Sequence, residues 1–113
     1  MGQSMSTIFG KIIQGKLPAR KVFENERILA IEDIHPIAPV HILIMPKQEI
    51  AKIQDVKDYD LIVEIIRVAQ AIAKEKGIED GYRLLTNNGS DAGQEIYHLH
   101  FHLIGGRTLG ALG

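Results

Sequence analysis

The amino-acid sequence predicts one α+β domain over residues 1–113, built on a mainly antiparallel five-stranded sheet with one long and one short helix. Three observations predict it. A single long stretch, Asp58 to Lys76, carries its apolar residues at helical spacing. Several shorter runs are rich in β-branched residues and are broken by proline or glycine, which is the pattern of strands. The third is the heptapeptide His98-Leu99-His100-Phe101-His102-Leu103-Ile104, whose alternation has the period of a strand with two unlike faces.

Composition narrows the function. A chain of 113 residues is large enough for one core and too small for two, and 45% apolar with 24% charged residues is ordinary for a globular protein. The formal charge of -1 argues against non-specific nucleic-acid binding, which needs a basic face, so a phosphate would have to be held by a few local donors. There is no cysteine, hence no disulfide and no thiolate zinc site, and the chain suits a reducing compartment. No apolar run approaches the roughly 20 residues of a membrane span, and no signal-peptide pattern opens the chain. A cytoplasmic protein with no membrane partner is expected, and Met5 is a second candidate start behind residues 1–4.

Taken in order, Ser6 is placed to cap a short helix in which Ile8, Phe9, Ile12 and Ile13 follow helical spacing, with Gly15 to end it. Pro18 then turns the chain. Val22-Phe23, Arg27 to Ile34 and His41 to Met45 are expected strands. The last two are separated by Asp33-Ile34-His35-Pro36-Ile37-Ala38-Pro39, whose prolines cannot continue a ladder. In the long helix Ile62, Ile65, Ile66, Ala69, Ile72 and Ala73 form the expected inner face, opposite Asp60, Glu64, Arg67 and Lys74, and Gly77 follows the last turn. Leu61, Val63 and Val68 widen the apolar sector enough for a deep core or a partner chain. Tyr82 to Thr86 is the next strand, and Asn87 to Gln94 a polar, glycine-containing connection. After the histidine strand, Gly105-Gly106 breaks the ladder and residues 108–113 form a short tail without periodicity.

On the alternating strand, Leu99, Phe101 and Leu103 share the face that packs, and His98, His100 and His102 share the face that meets solvent, a ligand or a metal. Three readings follow. The row could be a solvated polar surface, although three of the five histidines in seven residues is a dense cluster for that. It could bind metal, since imidazoles about 6.6 Å apart on alternate positions can share a zinc ion, with His35 or His41 adding a ligand; the outer two, about 13 Å apart, cannot reach the same ion without a bulge. Or it could act on a phosphoryl group. A neutral imidazole is a nucleophile at neutral pH without a metal, a neighbouring imidazole can donate to the leaving group, and the uncharged donors Asn87, Gly93 and Gln94 could hold the phosphate.

These residues resemble the histidine triad (HIT) family, and the resemblance covers nearly the whole chain. It runs through Thr7 to Ile13, Asp33 to His41, Gly81-Tyr82-Arg83, Gly93 to Tyr97 and Gly105-Gly106-Arg107, and its most specific signal is H-x-H-x-H with the upstream His41. The N-terminal and Gly-Gly-Arg matches look like the nucleotide-binding branch of that family. The resemblance implies a homodimer that binds a purine nucleotide such as AMP and hydrolyses nucleoside phosphoramidates with neither cofactor nor metal. His100 is then the nucleophile that forms a nucleotidyl-histidine, with the main-chain carbonyl of His98 setting its tautomer. His102 contacts the phosphate or leaving group, and His98 and His41 complete the histidine network. Asn87, Gly93, Gln94 and Glu95 fall on the phosphate side, and Asp33 at the ribose hydroxyls. Ile8, Phe9, Ile12, Ile31 and Ile34 line the base pocket; His35 has no role. Glu95 departs from the pattern, standing where some members have a serine that assists the leaving group, and the short tail lacks the aromatic, proline-containing extension of some relatives. A dinucleoside polyphosphate hydrolase and a nucleotide-binding adaptor protein are the alternatives.

Overall fold

The computed structural model describes residues 7–113. Helix α1 (Ile8–Ile13) leads into a hairpin of β1 (Lys21–Glu24) and β2 (Ile28–Glu32), followed by β3 (Val40–Pro46), α2 (Asp60–Glu75), β4 (Tyr82–Leu85) and β5 (Phe101–Gly105). The five strands form one sheet in the order β1-β2-β3-β5-β4, each pair of neighbours antiparallel. The fold class read from the sequence is the one found. Among the described residues no helix is long and apolar enough to cross a membrane.

Local chemistry accounts for the element ends. The cap of α1 is Thr7, whose Oγ1 accepts from the Gly10 N–H at 3.0 Å; the expected cap Ser6 lies outside the described residues. Asn25 closes the β1–β2 hairpin by accepting from the Arg27 and Ile28 amides at 2.9 and 2.8 Å. At the end of α2 the chain reverses through Gly77 at φ +74, a conformation that favours glycine.

The sheet has two covered faces. Under α2, Ile28, Ala30, Ile42, Ile44 and Leu103 pack against Leu61, Ile65, Val68, Ala69, Ile72 and Ala73. This rotates the inner stripe from the one the sequence suggested: Leu61 and Val68 point inward, while Ile66 is 41% exposed. A helix apolar over more than half its circumference leaves its rotation to the surface it meets. On the opposite face α1 sets Phe9 and Ile12 onto Leu29, Ile31, Leu43 and Met45.

Strand β5 is shorter than expected. Its ladder begins at Phe101, and residues 98–100 run outside it, with the Leu99 amide bonded to the Ile50 carbonyl at 2.6 Å. Likewise β4 stops at Leu85, before Thr86.

Candidate active site

Register brings two of the histidines together. Leu43 pairs with His102 and His41 with Ile104, so His41 and His102 are diagonal neighbours on the α1 face of the sheet, with ring centroids 5.2 Å apart. His100 stands one step before the ladder, its ring centroid 5.1 Å from that of His102. Phe9 of α1 lies edge-on over the His100 ring at 4.8 Å.

The row is not the open face that alternation suggested. His98 and His100 are 1% and 9% exposed. Alternation decides which side of a strand a residue occupies, and here α1 covers part of that side. The His98 ring also stays out of the cluster: its Nε2–H donates to the Pro46 carbonyl at 2.7 Å, while its buried Nδ1 has no partner among the described residues. His98 contributes its main chain instead, since its carbonyl accepts from His100 Nδ1–H at 2.7 Å.

Backbone partners dictate the tautomers. Because His100 Nδ1 donates to a carbonyl, Nε2 of the neutral ring carries the lone pair. His41 Nδ1 accepts from the Ile37 amide at 3.2 Å, so its proton sits on Nε2, 3.0 Å from His102 Nδ1 and 3.4 Å from Asp33 Oδ2. His102 Nδ1 must then accept, which leaves His102 Nε2–H as a donor with no partner among the described residues. The site thus offers a nucleophilic nitrogen on one ring and a hydrogen-bond donor on the next.

Burial keeps these rings uncharged. It pushes His41, His98 and His100 below the usual imidazole value, against the opposing pull of Asp33 on His41 and of the backbone acceptors on His98 and His100. His102 falls furthest, to about 4, through burial first and then its two imidazole neighbours.

The family model of the HIT domain matches residues 14–109. The chain belongs to the HIT family. It is 48% identical to an uncharacterized HIT-like protein of Chlamydia muridarum over 113 residues, which cover 98% of this chain and 90% of that one. The solved structure of a HIT family hydrolase from Legionella pneumophila is 49% identical, with a TM-score of 0.87 over 91% of this chain and 95% of that one. A histidine triad nucleotide-binding protein from Candida albicans is 35% identical, with a TM-score of 0.83 over 96% of this chain and 85% of that one.

Within this HIT domain, the remaining expected site residues fall into groups. Asp33 is half-buried beside His41, and its Oδ1 also caps the turn by accepting from the His35 amide at 2.8 Å. Asn87 is half-buried just past β4, and Gly93 and Glu95 are exposed on the turn that leads to His98. Gln94 is buried and engaged internally, its amide accepting from Gly89 N and donating to the Ala51 and Ile96 carbonyls. It therefore shapes the turn. Phe9, Ile12 and Ile31 are buried in the cluster beneath α1, whereas Ile8 and Ile34 are 55% and 85% exposed.

Nitrogen and oxygen atoms of Asp33, His41 and His102 lie within 4.8 Å of one another, close enough to suggest a cation site. The donor set does not fit one. For His41 Nε2 to bind metal its proton would have to move to Nδ1, which faces the Ile37 N–H. The trio is better described as a hydrogen-bonded chain.

Two residues at this HIT site were not legible in advance. Thr86 Oγ1 donates to the His100 carbonyl at 2.6 Å, replacing a ladder bond where the strands part. Arg107 Nη2 donates to the Ile37 carbonyl at 2.8 Å. Nothing in the sequence marks Thr86; Arg107 belongs to a motif that carried only a resemblance.

Proposed function

We propose that the protein hydrolyses the P–N bond of purine nucleoside 5′-phosphoramidates through a nucleotide held covalently on His100. The observation that carries this reading is the bond from His100 Nδ1 to the His98 carbonyl, which leaves Nε2 as a lone pair on a ring that burial keeps neutral. His100 Nε2 attacks phosphorus, the P–N bond breaks, and the departing nitrogen takes up one proton from solvent water while His102 Nε2–H hydrogen-bonds to it. Water then attacks the same phosphorus, the P–Nε2 bond breaks, and that water gives up one proton. One water is consumed, nucleotide and amine are released, and the rings end as they began. In this reading Asp33 meets the ribose, the turn around Asn87 and Gly93 meets the phosphate, and the apolar cluster of Phe9, Ile12 and Ile31 meets the base.

The relatives support the class of chemistry, one being described as a hydrolase and another as nucleotide-binding. The working form in this reading is a cytoplasmic homodimer. Among the described residues strand β4 lies at the sheet edge, and Val63 and Ile66 of α2 are 45% and 41% exposed. Sedimentation should give twice the monomer mass, and a monomer at working concentration would remove that part of the reading.

The decisive experiment traps the reaction of adenosine 5′-phosphoramidate by rapid acid quench and maps the adduct by mass spectrometry. Adenylate on His100 is expected, together with a fall of at least about 10³-fold in turnover for His100→Ala. Adenylate on another side chain, or faster turnover of a diadenosine polyphosphate than of the phosphoramidate, would overturn the assignment.

A further inference from the structure

The Gly105-Gly106-Arg107 segment has no part in the chemistry above, yet it touches the site from behind. We propose that Arg107 is a positioning residue, whose guanidinium straps the Asp33–His41 loop so that the Ile37 amide holds His41, and through it His102, in a single tautomer. This inference rests on the role given to His102 in the proposed function.

The strap follows from register. Val40 at the start of β3 pairs with Gly105 at the end of β5, so whatever follows Gly105 lies against whatever precedes Val40. Gly106 has φ +96, and a Cβ there would stand 3.0 Å from Pro39 Cβ. Only glycine lets the chain turn this tightly against that proline. The turn delivers Arg107, whose Nη2 donates to the Ile37 carbonyl at 2.8 Å while Nη1 donates to the Thr108 carbonyl at 2.8 Å.

Ile37 is the residue on which the strap matters. Its side chain is 60% exposed, so little apolar burial holds it. Its position depends on main-chain bonds: the carbonyl to Arg107 and the amide to His41 Nδ1. That amide, with the Asp33 carboxylate of the same loop 3.4 Å from Nε2, holds the His41 proton on Nε2 and makes His102 Nδ1 an acceptor. If the loop drifts, His41 can carry its proton on Nδ1 and accept through Nε2. His102 then turns its proton inward and offers the departing nitrogen a lone pair instead of a donor. The effect falls on the leaving group and spares the attack by His100.

The test compares two substrates in the parent, Arg107→Met and Gly106→Ala. An adenosine phosphoramidate of an alkylamine needs a donor at the leaving nitrogen. Adenosine 5′-phosphorimidazolide does not, because water protonates its leaving ring on the far nitrogen. Both variants should lose on the order of tenfold in kcat on the alkylamine substrate, with KM nearly unchanged, and less than about threefold on the imidazolide. Nitrogen NMR of the imidazoles should show His41 as the Nε2–H form in the parent and as a mixture in both variants. Equal losses on the two substrates, no loss on either, or an unaltered His41 tautomer overturns the inference. His100→Ala separates the two levels: full activity there sinks the nucleophile reading, whereas a dead His100→Ala beside an insensitive Arg107→Met sinks only the strap. Gly106→Ala disturbs the loop at Pro39 instead of at Ile37, so the question survives if either variant fails to fold.

Discussion

The two faces of the sheet obey different packing rules. Under α2 a continuous apolar cluster runs from Ile28 and Ile44 in the strands to Ile65 and Ile72 in the helix. Under α1 the buried apolar set is smaller, and the buried His41 and His100 and the half-buried His102 share that face with it. A helix of six residues cannot cover a five-stranded sheet, and it reaches the histidines only at His100, over which Phe9 lies edge-on. One face supplies cohesion, and the other accepts buried titratable groups at a cost in stability. Chemistry and stability are separated by the thickness of one sheet.

The separation can be tested from the cohesive side first. Ile65→Ala should cost about 4 kcal/mol, within the range for a large aliphatic truncated in a core, because Ile65 is completely buried. Urea denaturation measures the loss, and turnover per folded molecule should stay within about twofold of the parent. A parallel collapse of kcat would mean that the two faces are not independent.

Acid should strike the other face. The His102 pKa is lowered from 6.5 to about 4, so between those values the unfolded chain binds a proton that the native ring refuses. Stability therefore rises with pH across that window, is complete above about 6.5, and is lost as pH falls toward 4. The loss should be on the order of 2 kcal/mol once the partial exposure of the ring is allowed for. Thermal melts of the parent and His102→Asn at pH 7 and pH 4.5 isolate it, since the variant should lose less on acidification.

Smaller lesions under α1 should be felt in kinetics. Phe9→Leu removes the edge contact on His100 while conserving most of the volume, and should cost about 1.5 kcal/mol. Its kcat/KM should nevertheless fall several-fold, unlike that of Ile65→Ala. Thr7→Ala, which deletes the cap of α1, should cost about 1 kcal/mol, read from the urea midpoint. If Thr7→Ala lowers turnover while leaving the midpoint unmoved, α1 is held by something other than its cap.

Much of this architecture could be read from residue order. The long amphipathic run, the prolines at 36 and 39 and the alternation from Phe101 to Ile104 fix element type, because each is a local property of the backbone or of side-chain period. The rotation of α2 could not be read so, since Ile66 and Leu61 are equally apolar and only the sheet chooses between them. Nor could the fate of His98, which shares its residue type and period with His100. Pro46 lies 52 positions away in the chain, and its carbonyl takes the ring out of the cluster.

The sequence by itself determined the α+β class, the approximate places of the strands and the concentration of imidazoles in one short segment. Those follow from short-range periodicity and from backbone preferences that each residue carries wherever it stands. The tertiary structure decided which nitrogen of each ring bears the proton and which histidine turns away. A tautomer is set by whatever group faces the ring, and here those groups, Ile37 N–H for His41 and the Pro46 carbonyl for His98, arrive only when separate strands and loops are folded together.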